Sequence, residues 1–214
     1  MKRTRLTREQ SRDQTRQRLL DSAQTMIMKK GFVATSVEDV AEAAGYTRGA
    51  FYSNFGSKTE IFLELLRRDH DQMQAGLDDI FAAGTTREDM ETRVIAYYSQ
   101  IPEVEKDFLL WIEAKLLAAR DARFRARFNA FRREKLDQLA AYIREFSARV
   151  GTPLPLPAEI LALGLMGLCE GMQFLYTVDP QSVTAGHTQM VLSEFFARVV
   201  FGRGAELPAE GTAK

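Results

Sequence analysis

One cysteine and two histidines are all that 214 residues offer of the side chains that most often carry covalent or metal chemistry. A lone Cys169 leaves no disulfide possible within the chain, which suits a reducing compartment. His70 and His187 lie far apart in sequence, and Asp69, His70 and Asp71 occupy three consecutive helical positions that point to different faces, so a solvated surface is expected there and no metal site. There is no GxGxxG and no phosphate-binding P-loop. With no nucleophile beside a base and no paired carboxylates in a recognisable setting, neither an enzymatic activity nor a cofactor is expected. The N-terminus is charged without an apolar core, as a secretory signal would need, and no apolar stretch stands out at the roughly 18 residues a membrane span requires. A cytoplasmic protein without a membrane partner is the expectation.

Net charge is also missing, with 29 Lys and Arg against 29 Asp and Glu. Taken alone this argues against a nucleic-acid partner, but the distribution reverses it. Residues 1–58 hold 11 basic against 6 acidic side chains, +5, which leaves −5 for the remainder. One end of the chain is suited to approach phosphates, or else carries a solvated basic tail; charge alone does not choose between them. Apolar residues make up 45% and charged residues 27%, ordinary for a globular protein with a substantial core.

What is present is helical periodicity, and most informatively the segment SVEDVAEAAGYTRGAFYSNFGSK at 36–58. Val37, Val40, Ala41 and Ala44 recur at helical spacing until Gly45, which suits the left-handed residue that ends a helix. Thr47 is a good N-cap for a second helix, in which Phe51 and Phe55 share the buried face. A helix, a tight glycine turn and a second helix make a helix-turn-helix, whose second helix enters the major groove. The face opposite the phenylalanines carries Gly49, Ala50 and Ser53, flanked by Arg48 and Tyr52.

These residues resemble the DNA-binding domain of the tetracycline-repressor (TetR) family, whose pattern is met by Thr35, Ala41, Ala44, Gly45, Gly49, Phe51, Tyr52, Phe55 and Lys58. Two positions depart: Tyr46 replaces a small aliphatic residue, and Asn54 stands where His or Tyr is frequent. The resemblance spans residues 12 to about 65. It implies that Arg48, Gly49 and Ala50 face base edges and that Ser36, Thr47, Tyr52, Asn54 and Lys58 face phosphates. Chemistry supports this division, since Arg forks onto guanine and hydroxyl or ammonium groups donate to phosphate.

Around this motif the pattern predicts an all-α chain: a basic arm at 1–12, a helix-turn-helix domain at 13–64 (motif 36–55), a helical regulatory and dimerisation domain at 65–205, and a tail at 206–214. A first helix is expected from about Thr15 to Lys30. A long helix opens at a Ser57–Glu60 capping box and runs to Gly84. Thr85 or Thr86 caps the next, Pro102 opens a sixth helix containing the run FLLWI, and a seventh covers about 121–150. The prolines of GTPLPLP then break the pattern. The eighth helix starts near Pro157 and is apolar nearly all round, with Gly164, Gly167 and Gly171 on one face. A ninth covers about Thr188 to Phe201.

Two such apolar helices face either several neighbours in their own chain or a second copy of it. The resemblance implies the latter, a four-helix bundle in a homodimer, with Gly164, Gly167, Gly171, Phe195, Phe196 and Val199 at the interface. It also implies a cavity for a small effector among helices four to eight. Its candidate lining is Tyr97, Trp111, Phe128, Phe131, Cys169, Met172, Phe174 and Tyr176, with Glu113, Glu170 and Gln173 as polar anchors. Such a lining suits an apolar or aromatic molecule, and Glu170 in an apolar run suits a cationic one. The expected function is that of a repressor released from a palindromic operator by a ligand. A regulator that activates or lacks a ligand, and a helical enzyme or interaction module, are the alternatives.

Overall fold

A computed structural model describes residues 7–81, 86–104, 108–151 and 153–200. Among these the chain is all-α: α1 (Arg8–Lys30), α2 (Val37–Ala43), α3 (Arg48–Asn54), α4 (Lys58–Phe81), α5 (Arg87–Val104), α6 (Phe108–Arg120), α7 (Ala122–Val150), α8 (Ala158–Val178) and α9 (Ala185–Phe195), the last continued by a π-helical turn, Phe196–Val200. They form two compact units. One comprises Met1–Met73 and Asp107–Phe128, the other Gln74–Lys106 and Asn129–Lys214. The units are therefore not consecutive segments, and α4 and α7 each contribute residues to both.

In the first unit Leu19, Leu20, Ala23 and Ile27 form the buried stripe of α1. They share a core with Val40, Ala41, Phe51, Phe55, Ile61, Phe62, Leu65 and Leu66. A chain of stacked rings extends this core to α7: Phe32 to Phe62 at 4.6 Å, Phe62 to Phe124 at 5.8 Å, and Phe124 to Phe128 at 5.7 Å between centroids. Each such pair adds about 0.5–1.5 kcal/mol beyond area burial. The Trp111 indole donates to Asp69 Oδ2 at 2.6 Å, satisfying the one polar atom of that ring.

In the second unit Ile80, Phe81, Met90, Val94, Phe146, Leu165, Leu192 and Phe196 form one cluster, and Ala140, Ile143, Ala158, Leu161 and Ala162 another. Phe81 stacks on Tyr142 at 4.9 Å, and the Tyr142 hydroxyl donates to Asp78. Burial, then that carboxylate, push the phenol up to about 12.

Several helix limits differ from expectation. α1 starts at Arg8, because Thr7 and Gln10 form a capping box that carries the helix beyond its buried stripe. The arm beyond it, with Lys2, Arg3 and Arg5, and the tail 206–214 lie outside the described residues. Glu60 donates its backbone N–H to Ser57 Oγ at 3.1 Å, but its carboxylate reaches Gly56 N–H instead of completing the box. Thr86 caps α5 through Asp89 N–H; Gly84 and Thr85 fall outside the described residues. Pro102 does not open α6 but sits in the last turn of α5, where the helix ends two residues later. α9 starts at Ala185, three residues early, because Thr184 caps it with His187.

The eighth helix corrects two expectations. It is long and apolar enough to cross a membrane, with mean hydropathy 1.4 over 18 residues, because leucine recurs along it and only Glu159 and Glu170 are charged. It is also not covered all round. Ile160, Leu163, Phe174, Leu175 and Val178 are exposed in one stripe, while Leu161, Ala162, Leu165 and Gln173 form the buried one. Phe174 therefore faces outward, not into a cavity. Phe196, expected at an interface, is 2% exposed inside its own unit's core, and Val199 packs on the Ala140–Leu161 cluster.

Candidate nucleic-acid interface

The turn between α2 and α3 is a Schellman motif built as the residues dictate. Gly45 adopts φ 73°, its N–H donates to Glu42 O at 2.9 Å, and Tyr46 N–H reaches back to Ala41 O at 2.8 Å. A side chain at Gly45 would be strained, which is why the helix turns here. The start of α2 is fastened by a full capping box. Ser36 Oγ accepts from Asp39 N–H at 3.0 Å, and Asp39 Oδ2 accepts from Ser36 N–H at 2.7 Å. Lys30, 2.6 Å away, and then Ser36 hold the Asp39 carboxyl well below the usual carboxylate range. Thr47 caps α3, its Oγ1 accepting from Ala50 N–H at 3.2 Å.

The outer face of α3 is open. Arg48, Gly49, Tyr52 and Ser53 are exposed, with Ala50 half-buried. Tyr52 rests its ring edge-on against Phe51, 5.5 Å between centroids, and its side chain interacts with Arg48. A Cβ at Gly49 would meet only Thr47 Oγ1 at 3.7 Å, so nothing within the chain requires glycine there. Glycine in a helix costs stability; its presence on an open face fits a partner that approaches the backbone closely.

Two expected phosphate contacts are turned inward. Lys58 Nζ donates to Phe32 O at 2.8 Å, Thr35 O at 2.7 Å and Val33 O at 3.3 Å. All three ammonium donors are thus taken by the α1–α2 connection, and burial lowers its pKa. Asn54 donates its amide to Ala50 O at 2.9 Å and leaves Oδ1 buried without a hydrogen bond. An acceptor cannot serve a phosphate, so the position does not act as expected.

Three residues matter here that no local sequence pattern singles out. Arg16 joins α1 to the end of α3 and to α4: it donates to Asn54 O at 2.7 Å, pairs with Glu64 at 2.9 Å and lies 4.2 Å from the Phe55 ring centroid. Glu113 on α6 accepts from Phe32 N–H at 3.1 Å, so its carboxylate closes the α1–α2 connection opposite Lys58. Glu38 pairs with Arg48. None has a local signal, since each partner lies 10 or more residues away.

The expected effector lining is divided between the two units. Trp111, Glu113 and Phe128 belong to the first unit and are engaged there as described, whereas Tyr97, Phe131, Cys169, Glu170, Met172, Gln173, Phe174 and Tyr176 belong to the second. Phe131 is buried, and Cys169 packs on the Phe146–Leu165 cluster. Glu170 lies 3.7 Å from Arg132, which removes the argument for a cationic ligand at that carboxylate. Gln173 is 3% exposed with Oε1 lacking a hydrogen bond. A polar groove of about 430 Å³ lies elsewhere, in the first unit, lined by Gln17, Asp21, Gln24, Arg68, Asp69 and Gln72 among others.

Residues 19–65, which hold the helix-turn-helix from Ser36 to Lys58, match the model of bacterial regulatory proteins of the tetR family. That segment belongs to the TetR family. Among its relatives, the HTH-type transcriptional repressor KstR2 of Rhodococcus jostii is 37% identical over 87 residues, 40% of this chain and 43% of that protein. The chain spans less than half the length of the curated relatives it matches. Over the full fold, a protein described as a TetR-family transcriptional regulator from Rhodococcus sp. superposes with TM-score 0.74 at 21% identity, covering 88% of this chain and 99% of that one. SmeT in complex with triclosan does so with TM-score 0.66 at 22% identity, covering 87% and 91%; SmeT is the repressor of a Stenotrophomonas maltophilia multidrug efflux pump. At these identities the structures establish the TetR fold.

Proposed function

We propose that this TetR-family chain is a cytoplasmic, homodimeric, sequence-specific DNA-binding regulator, a repressor released from a palindromic operator by an apolar or aromatic small molecule. The observation that carries the DNA-binding reading is the open face of α3, where Arg48, Gly49, Ala50 and Tyr52 stand beyond a rigidly capped turn. Arg48 serves base edges, while Tyr52, Thr47 and Ser36 supply hydroxyls to phosphates. Functionally the chain then divides into a DNA-binding domain at 13–64 and a regulatory and dimerisation domain at 65–205.

Dimerisation is supported by the exposed stripe of α8 together with Gly164, Gly167 and Gly171, none of whose added Cβ atoms would meet anything within 4 Å. Exposed Met190 and Val191 on α9 extend that apolar surface, to which half-buried Phe195 adds its edge. A second copy of the same surface would cover it about a two-fold axis. The repressor and ligand parts rest on KstR2 and on the triclosan complex of SmeT, and the apolar or aromatic character of the ligand on the residues proposed to line its site. Among the proposed ligand residues, Tyr97, Phe131, Cys169, Met172, Gln173 and Tyr176 share the second unit.

Selection from a pool of random duplex DNA by the purified chain tests this reading. A two-fold symmetric motif should be enriched, and compounds that raise the melting temperature of the protein should lower its affinity for that motif. Enrichment of no motif would overturn the reading.

A further inference from the structure

Arg48 does not stand alone at the head of α3. Its guanidinium lies 2.8 Å from Glu38 Oε1, a carboxylate in the first turn of α2, and 5.4 Å from the Tyr52 ring centroid. Both partners of the ion pair are exposed, Arg48 at 64% and Glu38 at 56%, and exposed pairs contribute little to stability. The cap of α2 does not need Glu38 either, since Ser36 and Asp39 complete it. A carboxylate on a surface meant for phosphates carries a cost in DNA affinity. The N-terminus of α2 favours an acid in its first turn, but that does not account for the pairing of this one with Arg48.

Orientation does. Arginine has five N–H donors in a planar fork, and only a long, rotatable stem to aim them. Glu38 takes the Nη1 edge and Tyr52 offers a ring face, which restricts the stem and leaves further donors for guanine O6 and N7. The pair is also neutral, so Arg48 adds little attraction to phosphates of arbitrary sequence. We propose that Glu38 is a positioning residue for base readout: it aims the Arg48 guanidinium at one guanine and, through its charge, weakens binding to DNA that lacks it. This rests on the DNA-binding reading above.

The test uses the full chain as wild type, Arg48→Ala, Glu38→Gln and the double variant, each selecting from the same random duplex pool. Wild type should enrich a motif with a G·C pair in each half-site that Arg48→Ala no longer selects. Glu38→Gln should lower preference at that same pair about tenfold and leave other positions intact. In the Arg48→Ala background it should change no base preference. Glu38→Gln should also bind unrelated duplexes more tightly at low salt, with a steeper salt dependence.

If Glu38→Gln keeps full preference at the Arg48 pair, Glu38 is a solvated acid and the proposal is wrong, while the wild-type motif still supports DNA binding. The proposal is equally wrong if Arg48→Ala changes no pair. If wild type enriches nothing, both readings fall together. Should Glu38→Gln lose helical content, Glu38→Asp, which keeps the charge but shortens its reach, takes its place with the same outcomes at the Arg48 pair.

Discussion

Arg48 and Gly49 show what a recognition helix asks of single residues. Replacing Arg48 by Ala should lose about 1–3 kcal/mol of binding per half-site and relax one symmetric base position, measured by titrating operator variants. Gly49→Ala should do something less intuitive. Its added methyl meets only Thr47 Oγ1 at 3.7 Å, so the folded chain should gain about 0.5 kcal/mol in urea unfolding while DNA affinity falls. Loss of both would mean that the glycine serves the fold. Asp39 supplies a pH-dependent contribution. Its folded pKa lies far below the unfolded value, so its stabilisation is present above the ordinary carboxylate value of about 4 and is lost as pH falls through and below it. Thermal melts should therefore find Asp39→Asn less stable than wild type at pH 7, with the gap closing toward pH 3.

At the scale of elements, the connection between α1 and α2 is held by side chains from other helices. Thr35 Oγ1 donates to Gly31 O at 2.8 Å, Lys58 gathers three carbonyls from α4, and Glu113 takes Phe32 N–H from α6. Lys58→Met keeps the apolar stem and removes the ammonium, so it should cost about 2 kcal/mol in urea unfolding. The salt dependence of DNA binding should stay unchanged. A slope shallower by about one unit per site would instead put Lys58 on a phosphate. In α8, Gly167 is exposed with open space around its backbone. Gly167→Arg should leave helical content and melting of the monomer intact while preventing self-association. Phe195→Glu is a less selective probe, because Phe195 also packs on its own unit's core.

For the whole molecule, the proposed assembly is a dimer of 24.2 kDa chains, and light scattering at micromolar concentration should return twice that mass. A wild-type particle of one chain would remove the two-fold operator from the proposal. Release by ligand is a question of differential affinity: shifting a population from 1:99 to 99:1 needs about 5.5 kcal/mol between the two states, so weak ligands should release DNA only in part. α4, like α7, holds residues of both units in one continuous helix, which makes it an element whose substitution should change ligand response without touching either partner.

The sequence alone determined most of the helices, the helix-turn-helix and the open side of α3, because these depend on local rules: apolar residues three and four apart, Thr or Ser at a cap, and glycine where φ turns positive. Even the helix starts that periodicity misplaces, at Arg8 and Ala185, are set by capping boxes written within four residues. Only tertiary structure decided where long side chains end. Lys58 looked like a phosphate contact from its place in the motif, yet carbonyls brought up by folding claimed its donors, whereas Asn54 is turned inward by a bond within its own helix, to Ala50 O. Arg16, Glu38 and Glu113 carried no pattern, since a charge acquires its meaning from a partner 10 to 81 positions away. The outward stripe of α8 was hidden for a related reason: composition reports how apolar a helix is, and only packing chooses which face its own chain covers.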